Sequence, residues 1–420
     1  MMRFRAELHA PLPAATAAEF LARLAYVSEA LQAAAFVDDT RAAVAFDVRP
    51  GREAEAPVIA ARCIDVADTL SRVRRFPERR LFARTAPRAL FTGDPHPLLE
   101  ARGELVRYGA GRYGLGPGAV ALVELFDADL RALAARMAAR PMQFPALIGA
   151  DVLARCRYFR SFPHSLTLVS HLREDLEAIR RFASGARWTG EALSCERADL
   201  ADVTCLLAPA VCFHWYAAWQ GRAGVGPHAM TAAGRCFRYE AANLEGLRRL
   251  WDFTMREIVF LGPADWVQAQ RRRCMDESVA LLARWGLEYE ISTASDPFFT
   301  DDFAEQSAFQ LMSELKFEVK ATLPYAAGTL AVGSFNYHGD FFGKALDVTQ
   351  PDGQAVHTGC VAFGLERLFL AFVAQHGVEP VAWPAAARAA LADGDGRAWG
   401  HAAPAGADAA AAAETPAGRR

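Results

Sequence analysis

The sequence has no run of apolar residues long enough to cross a bilayer, and its start carries no signal-peptide pattern. Cysteine is scarce, with 8 in 420 residues, and no Cys-x-x-Cys or His-x-x-x-His pair occurs. The scarcity argues against a disulfide framework and fits a reducing cytoplasm, the expected location. The missing pairs remove every local zinc-finger spacing. Neither charge is in excess: 46 basic side chains stand against 49 acidic ones, for a net charge of −3. That balance gives no overall electrostatic footprint for RNA and leaves open only a local patch. A long coiled coil is also missing, because residues 1–95 are broken by proline, glycine and polar turns. The length has room for two or three domains.

The chemistry-bearing residues fall in two stretches. In His357–Leu368 a glycine-punctuated strand runs into a helix with Arg367 in its first turn. A helix start favours anions, since its unpaired N–H groups and dipole point outward, and a guanidinium there adds a fork-shaped phosphate contact. Taken alone, Gly-Leu-Glu-Arg also describes an ordinary capped helix. Upstream, Cys236-Phe237-Arg238-Tyr239-Glu240 begins as a strand, Ala241 to Gly246 is a polar turn, and Leu247 to Phe260 has the apolar alternation of a second strand.

These stretches resemble motifs 2 and 3 of the class II aminoacyl-tRNA synthetases, in the expected order. The resemblance implies that Arg238 grips the α-phosphate of ATP, Glu240 reads the adenine amino group, Phe253 stacks on the ring and Arg367 holds the far phosphate. Within the superfamily the sequence is similar to seryl-tRNA synthetase cores. More closely it resembles the zinc-dependent enzymes of methanogens, and above all the amino acid:carrier protein ligases, their truncated homologues. Those groups bind Zn²⁺ with Cys, Glu and Cys. The matching positions are Cys212, Glu257 and Cys360. Each cysteine alone is more often a small buried apolar residue. A three-ligand zinc leaves a fourth position open, which an α-amino group can fill.

The same likeness puts Asn336, with Ser334 beside it, against the aminoacyl group. The family glutamate expected near Leu330 is missing, and Glu318 is a possible substitute in holding Mg²⁺ at the phosphates. His338 is a candidate to meet the incoming nucleophile, or is simply a hydrogen-bonded loop histidine.

The expected fold is α+β: a class II synthetase-like antiparallel sheet flanked by helices over residues 100–390, a small α+β domain of unknown role over residues 1–95, and a disordered tail over 402–420. In the first domain Met2–His9 reads as a strand. Thr16 caps a helix, Asp38-Asp39 turns a hairpin, and a helix covers Ala56 to Arg74. The arginines from Arg72 to Arg80 form either a dock for an acidic carrier or a solvated face. Leu122–Arg140 and Pro141 resemble motif 1, which implies a homodimer. Arg271–Trp285 reads as a helix, and periodicity is lost after Trp383.

The activity implied is ATP-dependent formation of an aminoacyl-adenylate, then transfer to the phosphopantetheine thiol of a carrier protein. A tRNA acceptor is the first alternative. The missing coiled coil and the short loop between Glu240 and Arg248 argue against it. A non-catalytic paralogue is the second, and the retained Arg238, Glu240, Phe253 and Arg367 argue against that.

Overall fold

The structure, a computed structural model, describes residues 2–72, 77–296, 303–392 and 399. The tail expected over 402–420 lies outside them, as do Arg74 and Arg75.

Three short strands, β1 (Arg3–Glu7), β2 (Leu31–Phe36) and β3 (Ala43–Val48), pair antiparallel in the order β1-β3-β2. Alternation along β3 turns Val44, Phe46 and Val48 inward. Helices α1 (Ala14–Leu24) and α2 (Ala56–Arg72) supply Phe20, Leu24, Ile59 and Leu70 to the same core. Thr16 does not cap α1: it lies buried inside its first turn, and Pro13 takes the cap position. The hairpin turn at Asp38 is as read, with its carboxylate accepting the Thr40 N–H at 2.9 Å.

From Arg80 onward the chain builds a second, larger sheet. Its strands are β4 (Arg80–Arg84), β5 (Arg140–Pro141), β6 (His228–Phe237), β7 (Asp252–Gly262), β8 (Tyr289–Thr293), β9 (Lys316–Leu323), β10 (Gly328–Gly339) and β11 (His357–Gly364). Among the described residues the order is β4-β8-β9-β10-β11-β7-β6-β5, antiparallel throughout except for β5 on β6. Strand β4 lies inside the range read as the first domain, yet it pairs with β8. The separate N-terminal core ends at Leu70.

Helices α3 (Pro117–Arg136), α5 (Ala264–Arg284) and α6 (Leu365–His376) cover one face of the large sheet. The other face carries a second core beneath α4 (Cys212–Ala218). The split follows the two-residue period of a strand: Ile258 and Phe260 enter the helix-covered core, Val259 and Leu261 the other.

Several boundaries differ from expectation. Helix α3 begins at Pro117, where proline suits the first turn, and ends at Arg136. Helix α5 begins at Ala264, before Arg271. Strand β7 starts at Asp252, because Leu247 and Leu250 turn into the core and the Trp251 N–H is drawn to the Gly111 carbonyl. After Trp383 a further helix, α7 (Ala385–Ala392), packs on α3.

On β7, Arg256 points to the helix-covered side and donates to both oxygens of Asp127 on α3, at 2.7 and 2.8 Å. Removing one member leaves a buried charge uncompensated. Asp127→Ala should cost about 3 kcal/mol in urea denaturation. Adding Arg256→Met should recover most of that loss.

Candidate functional site

Cys212 opens α4, Glu257 sits mid-strand on β7, and Cys360 lies on β11. The fold brings their ligand atoms within 4.8 Å of one another, and they are 5 %, 1 % and 5 % exposed. Pairing explains the convergence of the two strand residues, since Glu257 faces Ala362 and Cys360 faces Val259 across the β7–β11 ladder. The turn before α4 then delivers Cys212, and the Val211 N–H donates to Glu257 Oε1 at 2.8 Å.

Glu257 Oε2 is buried with no hydrogen-bond partner among the described residues. Burial, then the nearby Cys360 sulfur, pushes this carboxyl up to about 8. A hydrogen bond from the Cys212 thiol to Cys360 raises the first and lowers the second. Two sulfurs and an orphaned carboxylate oxygen, all buried, form a donor set suited to a zinc ion with one position open.

Asn336 lies directly opposite Cys360 on β10. Its amide donates to Ser334 Oγ at 3.0 Å and approaches Cys360 Sγ at 3.4 Å. His338 is on the same face, with Nε2 at 3.8 Å from Cys360 Sγ and Nδ1 at 3.2 Å from Thr358 Oγ1. Its contacts are therefore with the cysteine side of the site. Glu318 faces Ser334 across β9–β10 and pairs with the buried Lys316 at 2.9 Å, while Asp296 holds Lys316 from the other side at 2.7 Å.

Arg238 and Glu240 fall just past the end of β6, in the loop. The Arg238 guanidinium lies 5.6 Å from the Phe253 ring centroid and donates through Nε to the Pro209 carbonyl at 3.0 Å. Glu240 accepts from Arg249 at 2.6 Å. Arg367, in the first turn of α6, donates to the carbonyls of Arg248 and Ala331 at 2.9 and 3.1 Å. Burial depresses the Arg367 pKa, and the Glu240 charge opposes that shift.

One residue was missed by sequence reading. Glu366, 6 % exposed, accepts the Thr254 N–H at 2.8 and 3.0 Å and the Thr254 hydroxyl at 2.9 Å. It ties the start of α6 to β7. An acidic residue in a helix first turn is so ordinary that nothing marked it out.

Residues 212–376 match the tRNA synthetase class II core domain (G, H, P, S and T). Amino acid–[acyl-carrier-protein] ligase 1 of Bradyrhizobium diazoefficiens is 35% identical over 283 residues, covering 64% of this chain and 84% of that protein. The chain belongs to this ligase family. A type-2 serine–tRNA ligase of Methanopyrus kandleri is 26% identical to the ligase chain over 337 residues, 76% of it and 64% of the relative. A crystal structure of M. kandleri SerRS with A. aeolicus tRNASec superposes with a TM-score of 0.67 at 22% identity, over 94% of this chain and 78% of that one. The likeness shows the class II seryl-tRNA synthetase fold, as expected.

The raised Glu257 carboxyl sets a pH dependence for metal-free ligase. The folded chain keeps a proton that the unfolded carboxyl releases near 4.5. This stabilisation is fully present below about 4.5 and is lost as pH rises through about 8. Urea denaturation of chelator-treated protein should therefore show stability falling over that window, and Glu257→Gln should flatten the fall. Zinc, which needs deprotonated ligands, should counter it.

Proposed function

We propose that this ligase joins a free amino acid to ATP as an aminoacyl-adenylate, and passes the acyl group to the phosphopantetheine thiol of a carrier protein. The observation that carries the reading is a pair of side-chain clusters held by the large sheet and the segments at the ends of its strands. Cys212, Glu257, Cys360 and Asn336 gather in one, and Arg238, Phe253 and Arg367 in the other.

A zinc ion held by Cys212, Glu257 and Cys360 would supply a Lewis-acidic position that accepts the substrate's α-amino group. Asn336 and Ser334 orient the carboxylate. One carboxylate oxygen attacks the α-phosphorus, and pyrophosphate leaves. Arg238 meets the charge that grows on the α-phosphate, where a preorganised cation counts most in the transition state. Phe253 and Glu240 hold the adenine, and Arg367 the far phosphate. The Mg²⁺ that accompanies the triphosphate has Glu318 as its candidate carboxylate. In the second step the thiol sulfur attacks the acyl carbon and AMP departs, leaving a thioester. The adenylate is already activated, so no protein nucleophile is needed.

The short turn Ala241–Gly246 supports a carrier protein over tRNA as acceptor. Homodimerisation, inferred from motif 1, belongs to the same proposal. Among the described residues no helix is long and apolar enough to cross a membrane.

Amino-acid-dependent exchange of pyrophosphate into ATP tests the first step. Exchange is expected with at least one small amino acid, and Arg367→Ala should lower its rate about 10²-fold or more. Cys212→Ser or Cys360→Ser should abolish exchange while the protein stays folded by circular dichroism. Radioactive amino acid should label a phosphopantetheinylated carrier and not tRNA. No exchange with any amino acid would favour a non-catalytic paralogue.

A further inference from the structure

The N-terminal unit lies outside the matched synthetase core, and the nucleotide site has a loop that needs support. Just after Glu240, Ala241 holds φ of +49°, the left-handed region that a side chain resists. A residue stays there only when its surroundings over-determine it. From the catalytic side, Leu247 N–H donates to His96 Nε2 at 3.2 Å and so pins the far end of the loop.

The near end is pinned from the other unit. Asn243 donates through Nδ2 to the carbonyl of Ala22 at 2.9 Å. Ala22 is in the last turn of α1, where carbonyls have no partner within the helix, so the amide of the loop caps that helix end. The same amide side chain is hydrogen-bonded to the Tyr26 hydroxyl. The Tyr26 ring packs edge-on against His164, with centroids 5.1 Å apart. The chain beside His164 closes the circuit, since the Ser165 carbonyl accepts the Tyr239 N–H at 3.1 Å, one residue before Glu240. Contacts between the two units thus gather behind the residue assigned to adenine.

We propose that the N-terminal unit is a brace for the nucleotide loop. Through Ala22 and Tyr26 it fixes Asn243, and through Asn243 the strained turn that aims Glu240. Tyr26 and Asn243 are positioning residues, and ATP affinity in this ligase depends on a unit outside the matched core. The inference rests on the reading of Glu240 as an adenine contact.

The test uses the full chain and α,β-methylene-ATP, which binds without reacting, in titration calorimetry. Losing a hydrogen bond that orders the loop should weaken binding about five-fold in Asn243→Ala, and about two- to three-fold in Tyr26→Phe. In pyrophosphate exchange the KM for ATP should rise by the same factors, with the KM for amino acid unmoved. Ile59→Val, buried in the N-terminal core away from the loop, should lower the melting temperature and leave nucleotide affinity unchanged. Wild-type affinity in both loop variants would overturn the brace. So would an equal rise in amino-acid KM, which marks general loosening. A wild-type chain that binds no analogue would instead remove the nucleotide reading itself, a failure distinct from that of the brace.

Discussion

A carboxyl buried mid-sheet, with one oxygen that takes no hydrogen bond among the described residues, is the constraint on which the rest of the site turns. Glu257 is 1 % exposed, and among the described residues Oε1 takes a backbone N–H while Oε2 takes no hydrogen bond. Leaving such a group unsatisfied costs roughly 1–3 kcal/mol or more, far beyond what a surface position would. The fold accepts the cost at the one point where two sulfurs also converge. A side chain that is merely structural would be relieved by an apolar residue of similar volume. The placement is explained if a cation completes it.

The sheet makes that point reachable. Because strands alternate, Glu257 on β7 can share a face with Cys360 on β11 and Asn336 on β10 only if all three strands keep their register. A one-residue slip would turn each into the helix-covered core. Two devices hold the register. Arg256, the residue before Glu257 on β7, is clamped to Asp127 on the opposite side. Glu366 takes the Thr254 N–H and so locks the start of α6 to the same strand. The Cys212–Glu257–Cys360 cluster and Arg367 at the start of α6 are thereby referenced to one strand.

The elements that carry the residues assigned to nucleotide were legible in sequence, because those residues sit in local patterns: Phe-Arg-Tyr-Glu before a turn, Gly-Leu-Glu-Arg at a helix start. The convergence of Cys212, Glu257 and Cys360 was legible only by resemblance. No short spacing ties Cys212 to Glu257 or Cys360, and their meeting is a property of strand order. Strand edges were misread where tertiary contacts override alternation, as at Leu247 and Leu250, which turn into the core before β7 begins. The helix Ala385–Ala392 was passed over because alanine gives little apolar contrast, yet Ala387 is buried. The tie of Asn243 to Ala22 spans two units and left no trace in the sequence.

The two arginines assigned to phosphate differ from the other buried cations. Arg256 has Asp127, and Lys316 has both Asp296 and Glu318. Among the described residues, Arg238 and Arg367 make no ion pair; each donates to backbone carbonyls instead. A guanidinium held by neutral acceptors lacks a contact ion pair, though the Glu240 charge lies near enough to favour both cations. Arg367 shows the tension in a pKa lowered first by desolvation. Carbonyls fix the direction of the fork without cancelling its charge. The same economy appears at Glu257, a carboxyl that burial keeps protonated up to about 8 and that is kept short of partners among the described residues. A site that keeps two guanidiniums without ion pairs and a buried carboxyl short of partners gives up stability for its arrangement.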